Sequence, residues 1–97
     1  VTGGDRPGPT MTDEVRCWLV ERTYTDRDLI VLIYATPDGE RKYRKELSAS
    51  MLGRTTVTAA TAVDADDLEP VEDAETRERY AMEVDRVRDS HEPDEAI

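Results

Sequence analysis

The sequence predicts an α+β domain: a mostly antiparallel sheet of three to four strands with one long C-terminal helix packed on one face. Three observations carry that prediction. Leu29 to Thr36 reads LIVLIYAT, a continuous apolar run rich in β-branched residues, which suits a strand buried on both faces. Pro37-Asp38-Gly39 follows at once, where Pro presets one corner and Gly permits the left-handed conformation that closes a hairpin. Beyond Pro70, the residues Tyr80, Val84 and Val87 recur at i, i+4 and i+7, the spacing of one helix face.

Taken in order, residues 1–12 hold three Gly and two Pro without apolar periodicity and read as a disordered leader. Val1 is an unusual first residue and Met11 offers an equally good start, so the leader is not expected to be part of the mature protein. A single domain is expected over residues 13–90. Val15 to Tyr24 alternates imperfectly, with Val15, Cys17 and Leu19 on one face and Trp18, Val20 and Tyr24 on the other, as in a first strand. Thr25 to Asp28 is a turn, and Glu40 to Leu47 is a third strand paired antiparallel with the second. Ser48 to Arg54 makes a short helical turn ended by Gly53, and Thr55 to Val63 a fourth strand. After an acidic loop at Asp64 to Glu69, Pro70 fits the first turn of a helix that runs to about Ser90, with Asp73–Arg77 and Glu75–Arg79 as i, i+4 pairs. The helix stripe should cover Leu29 to Tyr34 with Trp18 nearby, and residues 91–97 read as a flexible acidic tail.

Composition limits this domain to one thin core. The 97 residues include no Phe, one Trp and only 18 Leu, Ile and Val, close to the level at which strongly charged chains fail to fold. One cysteine excludes an intramolecular disulfide. Neither an apolar signal region nor a run long enough to span a membrane is present, which points to a cytoplasmic protein without membrane contact. Because both faces of the first strand carry apolar residues, self-association through a sheet face or strand edge would add burial.

The net charge is −10, from 23 acidic and 13 basic residues, and the basic set contains only two lysines, Lys42 and Lys45. This composition resembles that of short haloarchaeal proteins of unknown function. The resemblance spans the whole chain and implies a salt-loving host, in which screening relieves self-repulsion; it carries over no functional residue. The charge is also unevenly placed. Positions 1–63 hold nine acids and nine bases, whereas positions 64–97 hold fourteen acids and four arginines. A solvated acidic face explains this, as does a segment that meets a basic partner or folds over a basic surface of its own.

The candidate binding residues are Arg41, Lys42, Tyr43, Arg44 and Lys45, four bases around one aromatic in the third strand. Such a ribbon can contact phosphates and stack a base, yet a charged edge strand also guards against aggregation, and the flanking Glu40 and Glu46 reduce its charge. The stretch Asp64 to Glu75 begins like a calcium loop but has Leu68 and Glu69 where a ligand and an obligatory Gly belong. Cys17 reads as a small buried thiol, and His91, the lone histidine, lies far along the chain. No catalytic, cofactor or metal-site motif is found, and no small-molecule substrate is evident. The expectation is a non-catalytic protein-interaction or regulatory module with a protein partner or a second copy of itself, the alternative being nucleic-acid binding along Arg41 to Lys45.

Overall fold

A computed structural model of the chain describes residues 14–25, 28–52, 54 and 56–97. The expected leader and Gly53 lie outside the described residues. The elements are β1 (Glu14–Tyr24), β2 (Leu29–Ala35), β3 (Arg41–Ser48), α1 (Ala49–Leu52), β4 (Ala60–Asp64), β5 (Glu69–Pro70) and α2 (Ala74–Ser90), with a 3-10 turn at Ala65–Asp67. The strands form an antiparallel sheet in the order β4-β1-β2-β3-β5, with α2 on one face. The class is the predicted one, with the two-residue β5 as an additional strand.

β2 lies at the centre of the sheet, and Ile30, Leu32, Ile33, Tyr34 and Ala35 are buried. Successive residues of a strand point to opposite faces, so this run feeds two clusters. On one face Ile33, Ala35 and Trp18 meet Tyr80, Val84 and Val87 of α2. On the other, Ile30, Leu32 and Tyr34 join Cys17, Leu19 and Leu47, with Val57 and Val63 closing over them. Each such side chain contributes about 1.5–3 kcal/mol when fully buried, so neither face can be left wet in a chain this poor in large apolar residues.

β1 departs from simple alternation. Its pairing with β2 passes from Leu19–Tyr34 to Glu21–Ile33, leaving Val20 as the extra residue of a bulge. Val15, Cys17 and Leu19 share one face and Trp18 and Val20 the other, as expected. Past the bulge the phase is inverted: Tyr24 pairs with Ile30, joins the face opposite Trp18, and is 64% exposed.

The helix starts later than Pro70 suggests. Pro70 lies in β5 opposite Arg41, an edge position where a missing N–H breaks no ladder bond. Asp73 is the N-cap, its carboxylate accepting from the Thr76 amide and the Thr76 hydroxyl, each at 2.8 Å. The two i, i+4 pairs expected along α2 give way to other contacts. Arg77 reaches back to donate to the carbonyls of Val71 and Glu72, at 2.8 and 3.1 Å, and Arg79 lies 3.9 Å from Glu21 on β1. The helix's own ion pairs form at i, i+3, Glu83 with Arg86 and Asp85 with Arg88.

Residues 91–97, which read from sequence as a tail, run beside the segment that leads into β4. Ala59 and Ala60 donate to the carbonyls of Glu95 and Pro93, and Ile97 donates to that of Val57. That leading segment is only partly strand: β4 begins at Ala60, and Thr58 joins Ala96 in an isolated bridge.

The turn between β2 and β3 is held from two sides. Within it, Gly39 has φ +73° and donates to the Thr36 carbonyl, while Asp38 Oδ1 accepts from the Thr36 hydroxyl at 2.5 Å and the Glu40 amide at 3.0 Å. Outside it, Gly39 is pressed against α2: a Cβ added there would sit 2.1 Å from the Arg77 carbonyl oxygen. Left-handed strain and backbone collision together set the cost of a side chain, so Gly39→Ala is expected to lower the unfolding free energy by about 3 kcal/mol, read by urea denaturation.

The hydrogen bonds from Thr36 and Glu40, helped by Arg41, hold the Asp38 carboxyl below its usual range. A depressed carboxylate stabilises the fold above its unfolded pKa and loses that contribution as pH falls through the folded value. Asp38→Asn is therefore expected to be less stable than the parent at neutral pH, with the gap closing below about pH 4; denaturation across that range checks it.

Candidate functional site

The strand register distributes the five candidate residues of β3 over two surfaces. Ala35 pairs with Lys42, Ile33 with Arg44 and Val31 with Glu46, which sets these three β3 side chains on the face that carries α2. Tyr34 pairs with Tyr43 and Leu32 with Lys45, on the opposite face with Arg41. The four bases therefore do not form one ribbon. Tyr43 packs against the second cluster, its ring 6.4 Å from that of Tyr34 at a 35° tilt, instead of standing out from the strand.

Each part of this strand lies beside acid. On one face Arg44 Nη1 meets Glu46 Oε2 at 2.5 Å, with both side chains about half exposed, and Lys42 is paired in register with Glu69 of β5. On the other, Tyr34, Tyr43 and Lys45 line a cleft of about 250 Å³ together with Glu14, Asp64 and Asp67. β3 and β4 are separated in the sheet by two strands and still border the same cleft, so the sheet curls around its second cluster.

The distal acid excess resolves by element. α2 holds five acids and four arginines and is close to neutral; residues 64–73 hold six acids and no base, and residues 91–97 hold three acids and no base. The acidic charge belongs to the strap before the helix and to the segment after it. The strap crosses from β4 at one edge of the sheet to β5 at the other, bringing Asp67 and Glu69 toward Lys45 and Lys42. An acidic segment thus runs beside the chain's own basic strand.

β5 covers only the start of β3. It pairs with Arg41 and Lys42, and among the described residues no strand lies on the outer side of β3, away from β2, from Tyr43 to Ser48. The backbone of Arg41 bonds toward β2, its carbonyl accepting from Thr36 N and its amide donating to Thr36 Oγ1, whereas the Glu40 carbonyl faces outward and accepts from Val71. Alternation then turns the main-chain N–H and C=O of Arg44 and Glu46 away from β2. The sequence marks this strand both as a charged edge and as a row of bases; which main-chain groups face outward is set by its register with β2 and β5.

The remaining reactive groups are engaged elsewhere. Cys17 is fully buried, its thiol 3.6 Å from the Val15 carbonyl, and burial pushes its pKa up against a smaller opposing effect of Arg41. His91 Nδ1 lies 2.8 Å from Glu95 Oε2. Among the described residues no three His, Cys, Asp or Glu side chains converge to hold a metal ion, and no helix is long and apolar enough to cross a membrane.

Residues 11–97 match the model of a family of unknown function, DUF7967, and the chain belongs to that family. No curated protein and no solved structure matches it.

The burial of Cys17 has a direct readout. A thiol reagent should leave the folded protein unlabelled over the time in which urea-unfolded protein reacts fully; labelling of the native chain at the rate of a free cysteine would contradict the packing of β1.

Proposed function

We propose that this DUF7967 member is a non-catalytic protein-interaction module that takes an extended segment of a protein at the outer edge of β3. The observation that carries the reading is the outward-facing main chain of Arg44 and Glu46, flanked by β5 on one side and the turn into α1 on the other. Unpaired strand edges bind by strand addition: main-chain hydrogen bonds supply affinity, and side chains alternating over the two faces supply selectivity. Arg44 and Glu46 offer one charge of each sign on the helix side of this edge, and Tyr43 and Lys45 an aromatic ring and a base on the other.

Nucleic-acid binding along the same strand has less support. Its bases are divided between two faces and lie beside Glu46, Glu69, Asp64 and Asp67, and the whole chain carries −10. The setting we infer is a salt-rich cytoplasm, supported by the excess of acid and the scarcity of lysine. The non-catalytic reading is supported by the burial of Cys17 and the engagement of His91 with Glu95.

Proline at position 46 tests the edge. Its missing N–H lies on the side away from β2, so Glu46→Pro is expected to preserve the circular-dichroism spectrum and the protection of Cys17, and to abolish capture of protein by the immobilised chain from a lysate of its host. Equal capture by parent and variant would refute strand addition at this edge.

A further inference from the structure

We infer that the occupant of the β3 edge is a second copy of this chain, paired antiparallel about a two-fold axis through Lys45. The inference rests on the reading of that edge as the binding surface. A two-fold pair of identical strands must bring outward-facing residues into direct opposition, because only these have main-chain groups free to exchange. On β3 these residues are Arg44 and Glu46, with Ser48 at the turn into α1. An axis through Lys45 sets Arg44 opposite Glu46 of the second copy and Glu46 opposite its Arg44, so both hydrogen-bonded pairs are also pairs of opposite charge.

The side chains favour the same register. Arg44 and Glu46 of one strand are already in contact at 2.5 Å on the α2 side, and each is about half exposed. The second copy adds its own Arg44 and Glu46 to that face, giving a ring of four charges that alternate in sign. On the opposite face Tyr43 meets Leu47, an apolar pair made twice. Lys45 faces its own copy there, but each Lys45 borders a cleft that also holds Glu14, Asp64 and Asp67, which offsets the repulsion. Moving the axis to Glu46 also satisfies the backbone, yet it stacks Glu46 upon Glu46 and leaves Arg44 facing Ser48. Charge therefore selects Lys45 as the centre.

The length of the edge agrees. β5 occupies the outer side at Lys42, and β3 ends at Ser48, where α1 begins. The five residues from Tyr43 to Leu47 lie between, and they are the five that an axis through Lys45 pairs with themselves. β5 of each copy then flanks an end of the joint. The contact uses the same edge of both copies, so it closes as a dimer and extends no further.

Sedimentation equilibrium tests the register through charge exchange. The parent should pass from monomer to dimer as its concentration rises. Arg44→Glu and Glu46→Arg each place like charges in both cross-strand pairs and should weaken the dimer by at least about tenfold. An equimolar mixture of the two variants restores every opposite-charge pair and should dimerise as the parent does; the double variant, with both residues exchanged in one chain, should regain its own dimer. Circular dichroism of each single variant confirms folding, and the mixture keeps the test decisive because its two chains are those that fail alone. A parent that stays monomeric overturns the second copy as occupant, while the Glu46→Pro capture comparison still decides whether the edge binds a different protein. Single variants that dimerise like the parent, a mixture that stays monomeric, or assemblies larger than a dimer overturn it as well.

Discussion

β2 has no polar face, and the rest of the structure follows from covering it twice. One side is closed by α2, whose Tyr80, Val84 and Val87 lie over Ile33, Ala35 and Trp18. α1 is a single turn at the end of β3 and no second long helix is found among the described elements, so the other side is closed by the sheet itself, which curls until β3 and β4 border a common cleft and Val57 and Val63 reach the second cluster. A chain with no Phe and few large aliphatic residues can sustain two such clusters only by using nearly all of its apolar side chains inward. The large apolar exceptions among the described residues are Tyr24, Met51, Met82 and Ile97.

That curl determines where the charge goes. The connection from β4 to β5 has to pass between opposite edges of the sheet in the few residues from Ala65 to Leu68, and it reaches the first half of β3, beside Lys42. Leu68 anchors it to the second cluster, while Asp67 borders the cleft that Lys45 lines and Glu69 is in register with Lys42. A cross-strand pair of opposite charge such as Lys42 with Glu69 contributes roughly 0.2–1 kcal/mol, too little to direct the fold. Val71 completes the attachment: it is buried in the helix-side cluster, donates to Glu40, and gives its carbonyl to Arg77.

What the sequence discloses and what it withholds divides along the range of the interaction. β2, the Pro37-Asp38-Gly39 turn and the stripe of α2 are local patterns, each decided by a few neighbouring residues, and all three can be read directly. Pro70 cannot. Its missing N–H suits the first turn of a helix and an edge strand equally, and only the distant pairing with Arg41 decides between them. The bulge at Val20 is similar: the alternation from Val15 to Val20 is legible, but the extra residue that returns Glu21 to the helix side is fixed by β2. Gly39 is legible as a turn residue and silent about the helix backbone that lies against it. At the candidate site, a linear count sees four bases together, although the two-residue period of a strand already divides them between faces. A division at Val63 likewise leaves strap, helix and terminal segment together as one acidic stretch, whereas the boundary at Asp73 shows α2 to be nearly neutral.

An edge of alternating charge is usually a barrier, since a foreign strand laid beside it meets unlike and like charges in turn. The same alternation is permissive for one particular strand, the one whose signs run in the opposite order when laid antiparallel. A strand that reads base, then residue, then acid is its own complement under a two-fold, because reversing its direction exchanges the two signs. Arg44-Lys45-Glu46 has this property, and it lies in the stretch of β3 that β5 leaves uncovered. In the self-pairing proposed above, protection from aggregation and recognition of a second copy would be one physical device, a charge order that favours the self-complementary register.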